Sequence, residues 1–257
     1  MCQLLGMNCN VPTDICFSFT GFRRRGGATD QHSDGWGIGF FEGRGCRLFL
    51  DPVPAAHSPV AELVRNYPIR STNVIAHIRK ATTGPVGLQN THPFMRELWG
   101  RYWIFAHNGT LEEFAPRLEG RFCPVGTTDS EQAFCCILEA MCDAFPAGMP
   151  EVAALADLLG HLSGELSGYG TFNYLLSNGE LLFAHCADRL SYVVREAPFT
   201  TAHLLDEDVE VDFSQLTTPD DRVAVIATAP LTDNEAWTPL ASGELATFTD
   251  GRRIDTD

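Results

Sequence analysis

The 257 residues carry 18 Lys plus Arg against 33 Asp plus Glu, a formal charge of −15. A surplus of negative charge on this scale repels phosphate backbones and anionic headgroups, which argues against nucleic acid and lipid surfaces as partners. With 44% hydrophobic and 20% charged residues the composition is that of a folded globular chain, and no apolar run approaches the ~18 residues of a membrane span. The segment Met1–Met7 lacks a basic flank and has only a short apolar stretch, so a cytoplasmic protein without a secretory signal is expected. At ~150 residues per domain the length allows one or two units. The absence of repeats, low-complexity tracts and long Pro/Ser linkers favours a single domain over residues 1–257.

A short strand is expected over residues 2–7, and Thr13 is placed to cap a helix carrying Ile15, Phe19 and Phe22 on one face. The run Arg23-Arg24-Arg25 with Gly26-Gly27 ends that helix. Residues 36–41 and 46–50, separated by Glu42-Gly43-Arg44-Gly45, read as a hairpin. Ser58-Pro59 supplies an N-cap and a first-position proline for a helix towards Tyr67. Residues 73–78 and 102–106 read as buried strands. A helix follows Thr128-Asp129, with Ala133, Cys136, Ile137 and Ala140 on one face, and a second helix spans about 150–166. Strands are then expected over 172–176, 181–185, 191–195, 223–227 and 244–248, with Ser177-Asn178-Gly179 as a turn. Strands, then helices, then strands again give an α+β layout in which antiparallel sheets are covered by helices.

Nine cysteines without a Cys-x-x-Cys spacing, and eight scattered histidines, give no metal-ligand pattern. The cysteines read as reduced, mostly buried small hydrophobes, and neither a metal nor another cofactor is expected. Cys2 differs from the rest. If Met1 is removed, Cys2 carries both a thiol and a free α-amine, whose pKa of ~7.7–8.0 suits it to take the thiol proton. Three further segments bear polar groups at element ends: Arg79 with the small-residue loop after it, suited to a carboxylate; His107-Asn108-Gly109-Thr110, a tight turn or a pair of oxyanion donors; and Thr127-Thr128-Asp129-Ser130-Glu131, where Asp129 is a helix cap or a grip for an ammonium.

Taken in order, Cys2, Ser33-Asp34-Gly35-Trp36-Gly37-Ile38, Ala76-His77-Ile78-Arg79-Lys80-Ala81-Thr82, Asn90-Thr91-His92-Pro93-Phe94, His107-Asn108-Gly109 and Thr128-Asp129-Ser130-Glu131 resemble the glutaminase domain of class II glutamine amidotransferases, which are N-terminal nucleophile hydrolases. The late segment from Ala227 to Trp237 is similar to the stand-alone, YafJ-like members and to the amidohydrolase of ergothioneine synthesis. The resemblance implies a four-layer αββα sandwich of two antiparallel sheets. It further implies Cys2 as nucleophile and base, Arg79 on the α-carboxylate of glutamine with Thr82 beside it, and Asp129 on the α-ammonium. Asn108 with the Gly109 N–H would form the oxyanion hole, and His77 and His92 would support the pocket walls. Synthase-linked members commonly carry Trp and His where this chain has Lys80 and Thr83, so the loop over glutamine is expected to differ. Residues 80–91, with Gly84 and Gly87 as hinges, are the expected lid.

The expected reaction is cleavage of the γ-amide of L-glutamine or of a γ-glutamyl amide through a Cys2 thioester, releasing glutamate and ammonia or an amine. A separate synthase could accept the ammonia. The alternative is a non-catalytic subunit that binds the γ-glutamyl group and docks on such a synthase.

Overall fold

Residues 2–255 are described by a computed structural model. Met1, whose removal the expected chemistry requires, lies outside the described residues. The first half of the chain forms β1 (Gln3–Thr13), α1 (Cys16–Arg24), β2 (Trp36–Glu42), β3 (Gly45–Asp51), α2 (Pro59–Asn66), β4 (Ser71–Ile78), β5 (Phe94–Leu98) and β6 (Arg101–Leu111). Two helices follow, α3 (Asp129–Ala144) and α4 (Val152–Ser167). The second half adds β7 (Gly170–Ser177), β8 (Leu182–Cys186), β9 (Ser191–Arg195), β10 (Thr201–His203), β11 (Glu210–Asp212), β12 (Val223–Ala227), β13 (Thr238–Pro239), β14 (Glu244–Thr249) and β15 (Arg252–Ile254).

These strands build a seven-stranded antiparallel sheet in the order β13-β9-β12-β1-β4-β2-β3 and a six-stranded one in the order β15-β14-β8-β7-β6-β5, with β10 and β11 as a separate ribbon. Period-two alternation sorts the side chains into layers. Along β1 and β4, Leu5, Met7, Cys9, Val74, Ala76 and Ile78 turn towards Phe19 and Phe22 of α1 and Ala61 and Val64 of α2. The intervening Leu4 and Ile75 turn the other way, against Ile104, Ala106, Leu175 and Leu182 of the second sheet. Trp103, Phe105, Phe172 and Tyr174 in turn face Phe134, Ile137 and Leu138 of α3 and Leu155 and Leu159 of α4. Helices, sheet, sheet, helices is the four-layer αββα arrangement.

The hairpin, the β9 and β12 strands and the Ser58 cap agree with the sequence reading; the Ser58 hydroxyl accepts the Ala61 N–H at 3.1 Å. Thr13 does not cap α1. It ends β1, which runs on past a register shift between Asn8 and Thr13, and Ile15 takes the cap position without a side-chain bond. At α3 the cap is Thr128, which accepts the Glu131 N–H at 3.2 Å; Asp129 is the first helical residue. All nine cysteines are free, but only Cys2, Cys9, Cys135 and Cys186 are buried. Cys123 is exposed and the other four are half-buried, so burial is less general than composition suggested.

Candidate active site

Strand parity brings the chemistry together. Gln3 of β1 pairs with Ile78 of β4, so the next residues out along the two strands are Cys2 and Arg79. Both have the parity of Leu4 and Ile75, whose side chains lie between the sheets. On the opposing sheet Asn108 shares the parity of Ile104 and Ala106 and also points into that layer. Three side chains from three strands therefore converge at one end of the sandwich.

The Cys2 thiol is buried and accepts the Lys80 N–H at 3.2 Å. Burial pushes its pKa above the ordinary thiol value, and the Lys80 hydrogen bond and the Arg79 charge only partly oppose this. A cavity of about 230 Å³ opens beside the thiol, lined by Lys80, Thr82, Gly109, Thr110, Glu112, Gly170 and Thr171. Thr82 reaches across it to Thr110, hydroxyl to hydroxyl at 2.9 Å.

Arg79 is almost fully buried, yet its guanidinium meets no carboxylate at hydrogen-bond distance. Nη2 donates to the Thr83 and Gly84 carbonyls at 2.9 and 3.2 Å, and Nη1 to the Pro85 carbonyl at 3.2 Å. Three of its five N–H groups are thus spent on the loop that follows it. Both edges through which a guanidinium grips a carboxylate with two bonds include Nη2. Asp34 steadies the backbone on either side: its N–H donates to the Arg79 carbonyl at 3.1 Å and its Oδ2 accepts the Ala81 N–H at 2.8 Å. The loop is tied to the start of α3 through Asn90, whose Oδ1 accepts the Thr127 N–H at 2.8 Å. Asp129 is buried there, and its Oδ2 accepts the Leu111 N–H at 2.7 Å.

Asn108 and Gly109 lie inside β6, not in a turn, and pair with Asn173 and Phe172 of β7. A Cβ on Gly109 would stand 1.7 Å from the Thr171 carbonyl oxygen, so only glycine lets the two backbones come this close. Asn173 holds the Asn108 carbonyl at 3.0 Å and is itself anchored on Asp188 at 2.7 Å.

His77 and His92 stack behind this cluster with ring centroids 4.2 Å apart. His77 lies 3.1 Å from the His107 carbonyl, so its Nε2 carries the proton and donates. Burial, reinforced by the neighbouring His107 and Arg79, depresses the His77 pKa to about 3, and burial holds His92 well below the ordinary histidine value. Both are neutral wall residues in the folded state. The unfolded chain titrates near pH 6.5, so below that pH it takes up protons that the folded chain refuses, and stability falls with pH at about 1.4 kcal/mol per unit for such a group. From pH 6.5 to 5, His77 alone is expected to remove about 2 kcal/mol. Urea midpoints across that range measure it; a flat profile would mean His77 is charged in the fold.

Gly170, Thr171 and Glu112 of the cavity wall carry no motif. They arrive through the β6–β7 register, which the sequence alone does not give. Asp34 and Thr228 sit inside motifs quoted above but had no assigned role. Among the described residues no cluster of three or more His, Cys, Asp or Glu side chains is arranged to hold a metal, and no helix is long and apolar enough to cross a membrane.

The sequence profile of the family described as glutamine amidotransferases class-II matches residues 1–257. The glutamine amidotransferase-family protein YafJ of Escherichia coli (strain K12) is 54% identical over 254 residues, covering 99% of this chain and all of that one. A crystal structure from Pseudomonas aeruginosa PA01, assigned to the glutamine amidotransferases, superposes with a TM-score of 0.79 at 47% identity over 98% of this chain and 99% of the other. A gamma-glutamyl-hercynylcysteine sulfoxide hydrolase of Mycolicibacterium smegmatis is 27% identical over 233 residues, covering 88% of this chain and 82% of its own. With the two-sheet sandwich and the convergence of its motifs at one end, the chain belongs to the class II glutamine amidotransferases.

Proposed function

We propose that this chain is an amidohydrolase that cleaves the γ-amide of L-glutamine or of a γ-glutamyl amide through Cys2 once Met1 has been removed. The observation that carries this reading is the convergence of Cys2, Arg79 and Asn108 on the facing surfaces of the two sheets, beside a small open cavity. In the mature chain the α-amine of Cys2 takes the thiol proton, directly or through one water, which overcomes the neutral state that burial imposes. The thiolate attacks the γ-carbonyl carbon. The oxyanion that forms is held by the Asn108 amide and the Gly109 N–H. Collapse breaks the C–N bond, the α-ammonium protonates the departing ammonia or amine, and water then hydrolyses the thioester to glutamate. Arg79 binds the α-carboxylate with Thr82 beside it, and the Asp129 oxygen not engaged by Leu111 takes the α-ammonium.

At about 230 Å³ the cavity is below the ~300–1,000 Å³ of pockets for drug-sized ligands, which fits the γ-carboxamide end of an amino acid. The relative that hydrolyses a γ-glutamyl conjugate supports a γ-glutamyl amide beside free glutamine as substrate. Ammonia, where it is the product, is released or passed to a separate synthase.

The test uses protein whose intact mass shows the loss of one methionine, incubated with L-glutamine and a panel of γ-glutamyl amides. Release of glutamate with an equal amount of ammonia or amine is expected. A mature chain that binds glutamine but releases no glutamate would replace this reading with that of a binding subunit.

A further inference from the structure

Thr228 directly follows β12, whose residues pair with β1 two positions beyond the nucleophile, and its main-chain N–H donates to the Leu4 carbonyl at 3.1 Å. Its side chain forms a second link. Thr228 Oγ1 accepts the Leu4 N–H at 2.9 Å and stands 3.3 Å from the side-chain amide of Asn108. All three residues are buried.

The direction of the Asn108 contact matters. With Nδ2 turned towards Thr228, the hydroxyl oxygen receives two N–H donors and its own proton has no acceptor among the described residues. Asn108 Oδ1 is then also buried without a partner. That arrangement leaves two polar groups unmet, each worth ~1–3 kcal/mol when buried. The two ends of an amide have nearly the same shape, and the hydrogen-bond network decides which is nitrogen. Rotating the amide by half a turn lets Thr228 accept from Leu4 and donate to Asn108 Oδ1. One group alone remains unmet, the Asn108 NH₂, and it then points away from Thr228 into the layer shared with Cys2.

We propose that Thr228 is a positioning residue: its hydroxyl locks the Asn108 side chain with the carbonyl held and the NH₂ free, leaving a donor ready for the oxyanion. This rests on the oxyanion role given to Asn108 above. The hydroxyl suits the task because it alone can accept from the strand that bears the nucleophile and donate to the strand that bears the amide.

Neutron diffraction of the resting, deuterium-exchanged protein reads the amide directly and needs no turnover. Deuterons on the Asn108 atom remote from Thr228 are expected; deuterons on the atom facing Thr228 would overturn the proposal. In kinetics, Thr228→Val is expected to lower kcat ten- to a hundredfold with KM within about twofold, and Thr228→Ser to restore it. Adding Thr228→Val to Asn108→Ala should cost nothing further, because the group it orients is gone. A full additional loss in that double variant, or failure of serine to rescue, would make Thr228 merely structural. If Asn108→Ala itself leaves kcat unchanged, the oxyanion role fails, and the neutron result still decides the orientation.

Discussion

Cys2→Ala is expected to abolish γ-amide hydrolysis while leaving glutamine affinity within a few-fold of the native protein. Removal of the nucleophile from a covalent mechanism costs on the order of 10⁴-fold or more in kcat, because no other group can form the acyl intermediate. The thiol gives only one hydrogen-bond contact to the resting site, from the Lys80 N–H, whereas the groups assigned to the α-carboxylate and α-ammonium, Arg79 and Asp129, lie on other elements. Binding and chemistry should therefore separate. Titration calorimetry with glutamine and a glutamate-release assay on the same variant make the comparison. Undiminished hydrolysis would exclude Cys2 as nucleophile, and lost binding with lost turnover would move the thiol into the recognition site.

Arg79→Gln is expected to raise KM for glutamine by about a hundredfold or more, since loss of one partner of a buried charged pair costs ~2–5 kcal/mol. The same variant should loosen the loop after it. In the native chain three carbonyls of residues 83–85 converge on the guanidinium, and a neutral amide cannot satisfy all three. Amide exchange over residues 82–91 should therefore rise even without substrate. In the native protein a glutamine analogue must compete with those carbonyls for Nη2, so binding should change exchange in the same segment. Identical protection with and without the analogue would remove the lid from the mechanism.

The layers and most strands could be read from the sequence because each buried face carries its own period. The exceptions have physical reasons. Asn108 and Gly109 are poor strand formers and read as a turn. Their pairing with Asn173 and Phe172, and the close approach of the Thr171 carbonyl, override that local preference. Thr13 looked like a cap because it precedes an amphipathic helix, but pairing with Ser71 keeps it in β1. Within the site, residues in ordered motifs were visible, from Cys2 to Asp129. The role of Arg79 as an anchor of its own loop was not, because backbone carbonyl acceptors leave no mark on residue type. Nor were Gly170 and Thr171, whose presence in the wall depends on register.

The placement of Cys2 next to the middle strand of a seven-stranded sheet divides the site into two halves with different opening energies. Strand β1 lies between β12 and β4, and separating Cys2 from Asn108 means dismantling the layer that joins the sheets. That half should open only with global unfolding. The Arg79 loop rests on three surface-accessible backbone bonds and one asparagine bridge, so it can open alone at far lower cost. Heating or mild denaturant should thus weaken substrate affinity well before it disturbs the nucleophile, and loss of binding would precede loss of the fold.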